Sequence, residues 1–155
     1  MNRNGYQRRV DLAETLGSLV DKLTIKNIRL NNLRKKGSKK KIDIVQSQRK
    51  ELIEEMNQFL ARALKRKVKL KDEKVKLYKQ PKVEEKILAT LGALVDRLCQ
   101  KNMQLWHLED EARRSDVNDA YIGRIKRKID ITNLSRNDLI DRIDELLERK
   151  VKKSK

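Results

Sequence analysis

The chain has 155 residues, 41% of them charged and only 3% aromatic, with one proline and five glycines. That mixture favours helices over a sandwich or barrel, and a 37% hydrophobic share suits a narrow seam between helices better than a thick core. A net charge of +17 makes DNA, RNA or anionic lipid heads natural partners, although a lysine-rich solvated surface is the plainer reading.

The excess charge is uneven. Residues 1–60 carry 14 Lys/Arg against 7 Asp/Glu (+7), residues 61–86 carry 11 against 4 (+7), and residues 87–155 carry 15 against 12 (+3). Cys99 is the only cysteine, which excludes an intramolecular disulfide, and its place inside a helical pattern reads as a small buried hydrophobe. MNRNGYQRRV at the start lacks the apolar stretch of a signal peptide, and no apolar run is long enough to span a bilayer. The expected location is therefore cytoplasmic, with no membrane partner.

Residues 1–9 are polar, basic and expected to fray. From about Asp11, a plausible cap, Leu12, Leu16, Leu19, Val20, Leu23, Leu30 and Leu33 recur in steps of three and four and predict a first helix. Gly37 suits a left-handed C-cap, and Ser38 suits the N-cap of a second helix. That helix carries Ile42, Val45, Leu52, Ile53, Met56, Phe59, Leu60 and Ala63 inward, and its periodicity fades after Leu64. The connector that follows is helix or an extended strap, broken by Pro81. A third helix is predicted from about Val83 to Arg113, with Ile87, Leu88, Leu91, Leu94, Val95, Leu98, Leu105 and Leu108 inward. After a turn over Ser115–Asp119, a fourth helix runs to about Lys150 on Ile122, Ile125, Ile129, Thr132, Leu139, Ile140, Ile143, Leu146 and Leu147.

The chain repeats itself. TLGSLVDKLTIKNIRLNNLRK (Thr15–Lys35) returns as TLGALVDRLCQKNMQLWHLED (Thr90–Asp110), placing Asp21 on Asp96 and Asn27 on Asn102 at an offset of 75. KIDI at Lys41–Ile44 returns at Lys128–Ile131, and Arg49 maps on Arg136, at an offset of 87. The offsets differ by 12, which, split evenly between the two helices, lengthens the second hairpin by roughly 9 Å at ~1.5 Å per residue. Each hairpin carries an apolar stripe it cannot bury alone. The prediction is a single all-α domain over 1–155, with repeats 11–64 and 83–150 joined by connector 65–82 and packed as an antiparallel four-helix bundle.

Polar residues interrupt both stripes. Asn27 and Arg49 fall on the inward seams of the first copy, and Asn102 and Arg136 on those of the second. A buried charge needs a partner, and Asp21 and Asp96 lie beside the seams, so an Asp–Asn–Arg cluster is expected in each copy. Fixing helix register explains such a cluster without any ligand, and its repetition favours that view. The functional alternative is a small pocket.

The copies differ most where Asn31–Lys36 becomes Trp106–Glu111. His107 shares a helical face with Asp110 and Glu111, a spacing that suits metal ligation or acid–base work. A di-metal bundle requires a second histidine, which the chain lacks, so no metal or other cofactor is expected. Packing of Trp106 on a neighbouring helix, with the acids paired to Arg113, Arg114, Arg124 or Arg127, is the plainer expectation. A pocket, if built, gathers Asp96, Asn102, Trp106, His107, Asp110, Arg136, Asn137 and Asp138.

In the first copy the corresponding tip is Arg34–Lys41, RKKGSKKK, with six cations in eight residues. Arg34, Lys35 and Lys36 end a helix, where cations offset the dipole; Lys39, Lys40 and Lys41 begin one, where they do not. A polyanion at the tip resolves that conflict. Lys65, Arg66 and Lys67 open the connector and extend the candidate surface. Aromatics for base stacking are nearly absent from the first copy, so binding is expected to phosphate, salt-sensitive and weakly sequence-specific.

At TLGALVDRL, LWHLEDEARRSDV and IKRKIDITNLSRNDLIDRID, the second copy resembles an uncharacterised family of bacterial helical proteins with a Leu-Gly-x-Leu-x-Asp-Arg-Leu, Trp-His-x-Glu-Asp and Arg-Asn-Asp pattern. The resemblance spans about 88–147 and, more loosely, 13–60. It implies a helical fold and draws attention to Asp96, Trp106, His107, Glu109, Asp110, Arg136, Asn137 and Asp138. The first copy departs at Trp-His and at the acids, so a site implied by the family exists once in the chain.

These features favour a non-enzymatic basic helical binding or adaptor module that contacts nucleic-acid backbone or an acidic protein. The alternatives are a ligand-binding or enzymatic bundle with a site near Asp96, Trp106, His107 and Arg136, or a structural part of a larger assembly such as a phage particle. Homo-oligomerisation stays open.

Overall fold

A computed structural model describes residues 13–73, 75 and 90–154. They form an all-α bundle of two antiparallel hairpins: α1 (Leu16–Lys36) with α2 (Lys39–Leu64), and α3 (Leu91–Ala112) with α4 (Asp119–Lys153). α1 lies at the centre and packs on α2, α3 and α4, while α3 packs chiefly on α4.

The helix starts correct the expected boundaries. α1 begins after Thr15, not near Asp11, through a capping box: the Ser18 amide donates to Thr15 Oγ1 (3.3 Å) and the Thr15 amide to Ser18 Oγ (2.9 Å). Thr90 repeats the device at α3, where it is extended (φ −115°, ψ 152°) and accepts from the Ala93 amide, so the helix starts at Leu91 and not at Val83. Both caps satisfy amide donors that a helix's first turn leaves without partners. Residues 1–9, Asp11, Leu12, Pro81, Val83, Ile87 and Leu88 lie outside the described residues.

Gly37 ends α1 in the left-handed region (φ 70°) and returns its amide to the Leu33 carbonyl, as expected. Ser38 does not cap α2 with its side chain. The two-residue turn holds it at ψ 88°, away from the extended geometry of Thr15 (ψ 169°) and Asn118 (ψ 164°), which both cap.

The core joins Leu16, Leu19 and Val20 of α1 to Phe59 and Ala63 of α2, Leu94 and Leu98 of α3, and Leu139, Ile140, Ile143 and Leu146 of α4. Beyond α2 the described connector is not helical but an extended strap with a β-bridge at Val68. Val68 is buried, Arg66 (φ 55°) donates through Nη2 to the Val151 carbonyl, and Lys71 pairs with Glu145 at 3.0 Å. The strap thus ties the end of the first copy to the end of α4.

The twelve extra residues of the second hairpin are not split evenly. Counting from Asn27/Asn102 and Arg49/Arg136, one falls in α3, four in the turn and seven in α4.

Ile53, Leu60 and Leu91 were expected inward but are 36%, 41% and 45% exposed. Their repeat-related positions Ile140, Leu147 and Leu16 pack into or against the core. The cause is one helix crossing made once. α1 docks on α4 at Gly17, whose amide donates to buried Asp144 Oδ1 (2.7 Å) and on which a Cβ would collide with the Ile140 carbonyl oxygen. The repeat of that crossing, α3 on α2 at Gly92, is open among the described residues: none of them lies within 4 Å of a Cβ there.

Candidate functional site

The sequence pattern places two Asp–Asn–Arg clusters, one per copy; the helices build a single cluster between the copies. Asp21 and Thr24 on α1 face Asn102 on α3 and Arg136 on α4. Asn102 spends both amide hydrogens, one on Asp21 Oδ1 (2.9 Å) and one on Thr24 Oγ1 (2.6 Å), while the Thr24 hydroxyl donates to the Asp21 carbonyl (2.8 Å). Asp21, Thr24 and Asn102 are all buried. Arg136 Nε lies 3.7 Å from Asp21 Oδ1, beyond hydrogen-bond reach, and is buried without a hydrogen-bond partner among the described residues. The pair brings opposite charges of α4 and α1 together, with the Asp21 carboxylate largely buried and the Arg136 side chain 28% exposed.

The corresponding residues of the first copy stay apart from this junction. Arg49 is half-buried and donates through Nε to Asn27 Oδ1 (2.6 Å), and Lys26 donates to Gln48 (2.6 Å), so these residues zip α1 to α2. Asn27 is exposed, correcting its expected inward position. Asp96, expected beside an arginine, is exposed and accepts only from Gln100 of its own helix among the described residues (2.9 Å). Cys99 stands where the first copy has Thr24 and is half-buried, not fully buried.

Of the expected pocket residues, only Asn102 and Arg136 meet, through Asp21. His107, Asp110 and Asn137 are exposed, Trp106 is half-buried, and Asp138 accepts from Arg142 one turn on (2.7 Å). Among the described residues no group of three His, Cys, Asp or Glu side chains is disposed to hold a metal ion. The acids after Trp106 pair with Arg113 and Arg114. Asp110 accepts from Arg113 (3.1 Å), and Arg114 reaches Glu111 (3.1 Å) and grips both oxygens of Asp116 (3.0 and 2.8 Å). Tyr121 donates to Glu111 (2.7 Å) beneath the guanidinium groups of Arg114 and Arg124. The Tyr121 hydroxyl, then Arg114, hold the Glu111 carboxyl below its ordinary range, and Arg114 does the same to Asp116. This is a charge-balanced brace around a six-residue turn.

The tip of the first hairpin is its opposite. Arg34, Lys35, Lys36, Lys39, Lys40 and Lys41 are all exposed, and none pairs with a carboxylate among the described residues. The first turn of α2 has no acidic residue and no side-chain cap. Lys65, Arg66 and Lys67 are exposed at the other end of that helix, whose 26 residues set the two groups ~39 Å apart. The candidate cationic residues therefore form two patches, not one.

Sequence reasoning missed Thr24, Asp144 and Tyr121. A glycine inside a helical pattern is a signal for close approach, and Gly17 marks the Asp144 contact. Nothing local announces Thr24.

The chain matches the family described as "Protein of unknown function (DUF4254)" over residues 92–155, which takes in α3 from its second residue, the braced turn and α4. No curated protein matches, and no solved structure matches. No helix among the described residues is long and apolar enough to cross a membrane.

Proposed function

We propose that the protein is a non-enzymatic helical module that binds the phosphate backbone of nucleic acid through the tip of its first hairpin. The observation that carries this reading is the α2 N-terminus. Its amides lack a side-chain cap, and the six cations around it have no described counter-charge. Like charges gathered at the positive end of a helix repel one another and the dipole. A phosphate there accepts from the free amides and neutralises the lysines. The net charge of +17 supplies long-range attraction, and a cytoplasmic location fits such a ligand. The patch at Lys65–Lys67 is reached only by a strand or duplex long enough to run the length of α2, about 11 base pairs at ~3.4 Å each.

The test is fluorescence anisotropy with labelled duplex DNA and RNA over a salt series. Expected is a linear fall of log K with log salt. Replacing Lys35, Lys36, Lys39 and Lys40 together by glutamine should reduce the slope by roughly 3 to 4, the share of about four phosphate contacts. Unchanged anisotropy with either nucleic acid at low salt would end the proposal.

A second reading is favoured by the buried, unsatisfied Nε of Arg136. It makes the Asp21–Asn102–Arg136 junction an anion or small-ligand site, with Trp106 and the Trp-His-x-Glu-Asp and Arg-Asn-Asp pieces of the second copy as its periphery. Trp106 is the sole tryptophan, so its fluorescence reports occupancy; silence across nucleotides and sugar phosphates would count against this reading.

A further inference from the structure

We infer that two copies of this chain associate by docking the Gly92 face of α3 on one copy against the Ile53–Leu64 face of α2 on the other. The internal repeat presents the same crossing twice and closes it once. In the closed version, Leu16, Gly17, Val20 and Asp21 of α1 are all buried, as are Ile140, Asp144 and Val151 of α4. Shifted by 75 and 87, these become Leu91, Gly92, Val95 and Asp96 on α3, and Ile53, Asn57 and Leu64 on α2.

The second set resembles the first in chemistry but is less buried, Val95 alone being half-buried against the core. Leu91 is 45% exposed, Ile53 36% and Leu64 64%, and Gly92, Asp96 and Asn57 are exposed. Leu60, beside them on α2, is 41% exposed. The polar pieces are matched as well. Gly92 has an open helix surface where Gly17 receives the Ile140 carbonyl. Asn57 offers a carbonyl acceptor where Asp144 accepts the Gly17 amide. Asp96 is exposed where Asp21 meets Arg136, while the repeat-related Arg49 is held by Asn27 of α1 and would have to exchange that bond to pair with it.

Within one chain these faces do not meet, because α2 packs on α1 while α3 packs on α4 and α1. A second copy carries both complements at once: its α2 accepts the first copy's α3 and its α3 accepts the first copy's α2. The pairing is thus isologous, the commonest form of homodimer.

The test is sedimentation equilibrium of the full chain at high salt, where bridging by nucleic acid is suppressed. Wild type should rise with concentration to twice the monomer mass. Gly92→Ala should return it to monomer with an intact helical spectrum, because the added Cβ meets nothing in the free chain and a backbone oxygen in the dimer. Asn57→Asp should tighten the dimer several-fold by restoring the acceptor found at Asp144. If Gly92→Ala fails to fold, Leu64→Glu serves instead, since its side chain is already in water in the monomer. A wild type that stays monomeric into the hundred-micromolar range overturns the inference, whether the faces are bare or covered by residues 76–89. So does a dimer indifferent to Gly92→Ala, Leu64→Glu and Asn57→Asp, which would place the contact elsewhere.

Discussion

Gly17 and Gly92 occupy the same place in two copies of one sequence, yet one is locked beneath a helix and the other has no neighbour above it among the described residues. The same holds for Asp21 and Asp96, and for the two hairpin tips, one cationic and the other charge-balanced. A repeat fixes what each copy is able to contact. It does not fix which contacts are made, because a helix side occupied by one neighbour excludes another. α1 is surrounded, so its stripe and flanks are used; among the described residues α3 is covered by α4 and α1 and leaves its outer side exposed.

The widest gap between the copies is expected at the glycines. Gly17→Ala drives a methyl into the Ile140 carbonyl oxygen and the Asp144 carboxylate, costing about 3 kcal/mol by overpacking. For a chain of this size that lowers Tm by roughly 6–12 °C. Gly92→Ala in dilute solution gains up to ~1 kcal/mol from helix propensity, so thermal melts of the two variants should move in opposite directions. Equal losses in both would mean that the second crossing is also closed.

Next in size are the aspartates. Asp21→Ala strips Asn102 of one acceptor and leaves the Arg136 guanidinium beside a hole, a loss of about 2 kcal/mol. Asp96→Ala removes an exposed bond within one helix and should fall within about 0.5 kcal/mol. Denaturant midpoints distinguish them. Matching effects would show that Asp96 has a buried partner of its own.

The smallest difference lies at the tips. Glu111 and Asp116 have folded values below their unfolded ones, so the support they lend is present above the ordinary carboxylate range. It disappears as pH falls through their folded values, beneath the ordinary carboxylate range. Side-chain carboxyl resonances should titrate below their ordinary midpoints, while the first tip, which has no carboxylate, stays indifferent to acid. Ordinary midpoints for Glu111 and Asp116 would mean the brace does not form in solution.

Much of this architecture was legible in the sequence. The three- and four-residue steps of Leu16, Leu19, Val20 and Leu30, and of Leu139, Ile140, Ile143 and Leu146, give helices and their buried sides directly, because burial follows helical period. Gly37 announces a left-handed cap. The expected positions that proved exposed, Ile53, Leu60 and Leu91, share one origin: their repeat partners pack into or against the core, and pattern alone cannot tell an occupied side from a vacant one. The polar cluster was read correctly in its residue types and incorrectly in its pairing. Asp, Asn and Arg were expected to meet within each copy, whereas Asp21 draws its partners from the other. Spacing along a chain carries no record of which hairpin a side chain crosses to. The cationic tip was readable as charge, while the separation of Lys65–Lys67 from it follows only from the uninterrupted length of α2.

The bond between Gly17 and Asp144 joins residues 127 apart in the chain. During synthesis the first hairpin can zip as soon as it emerges, since Arg49–Asn27 and Gln48–Lys26 are local. Leu16, Leu19 and Val20 must wait until nearly the last turn of α4 has left the ribosome before water is fully driven from them. A nascent chain stopped anywhere before that point carries a greasy, positively charged hairpin with nothing to lean on, a natural client for holding chaperones and an easy target for proteolysis.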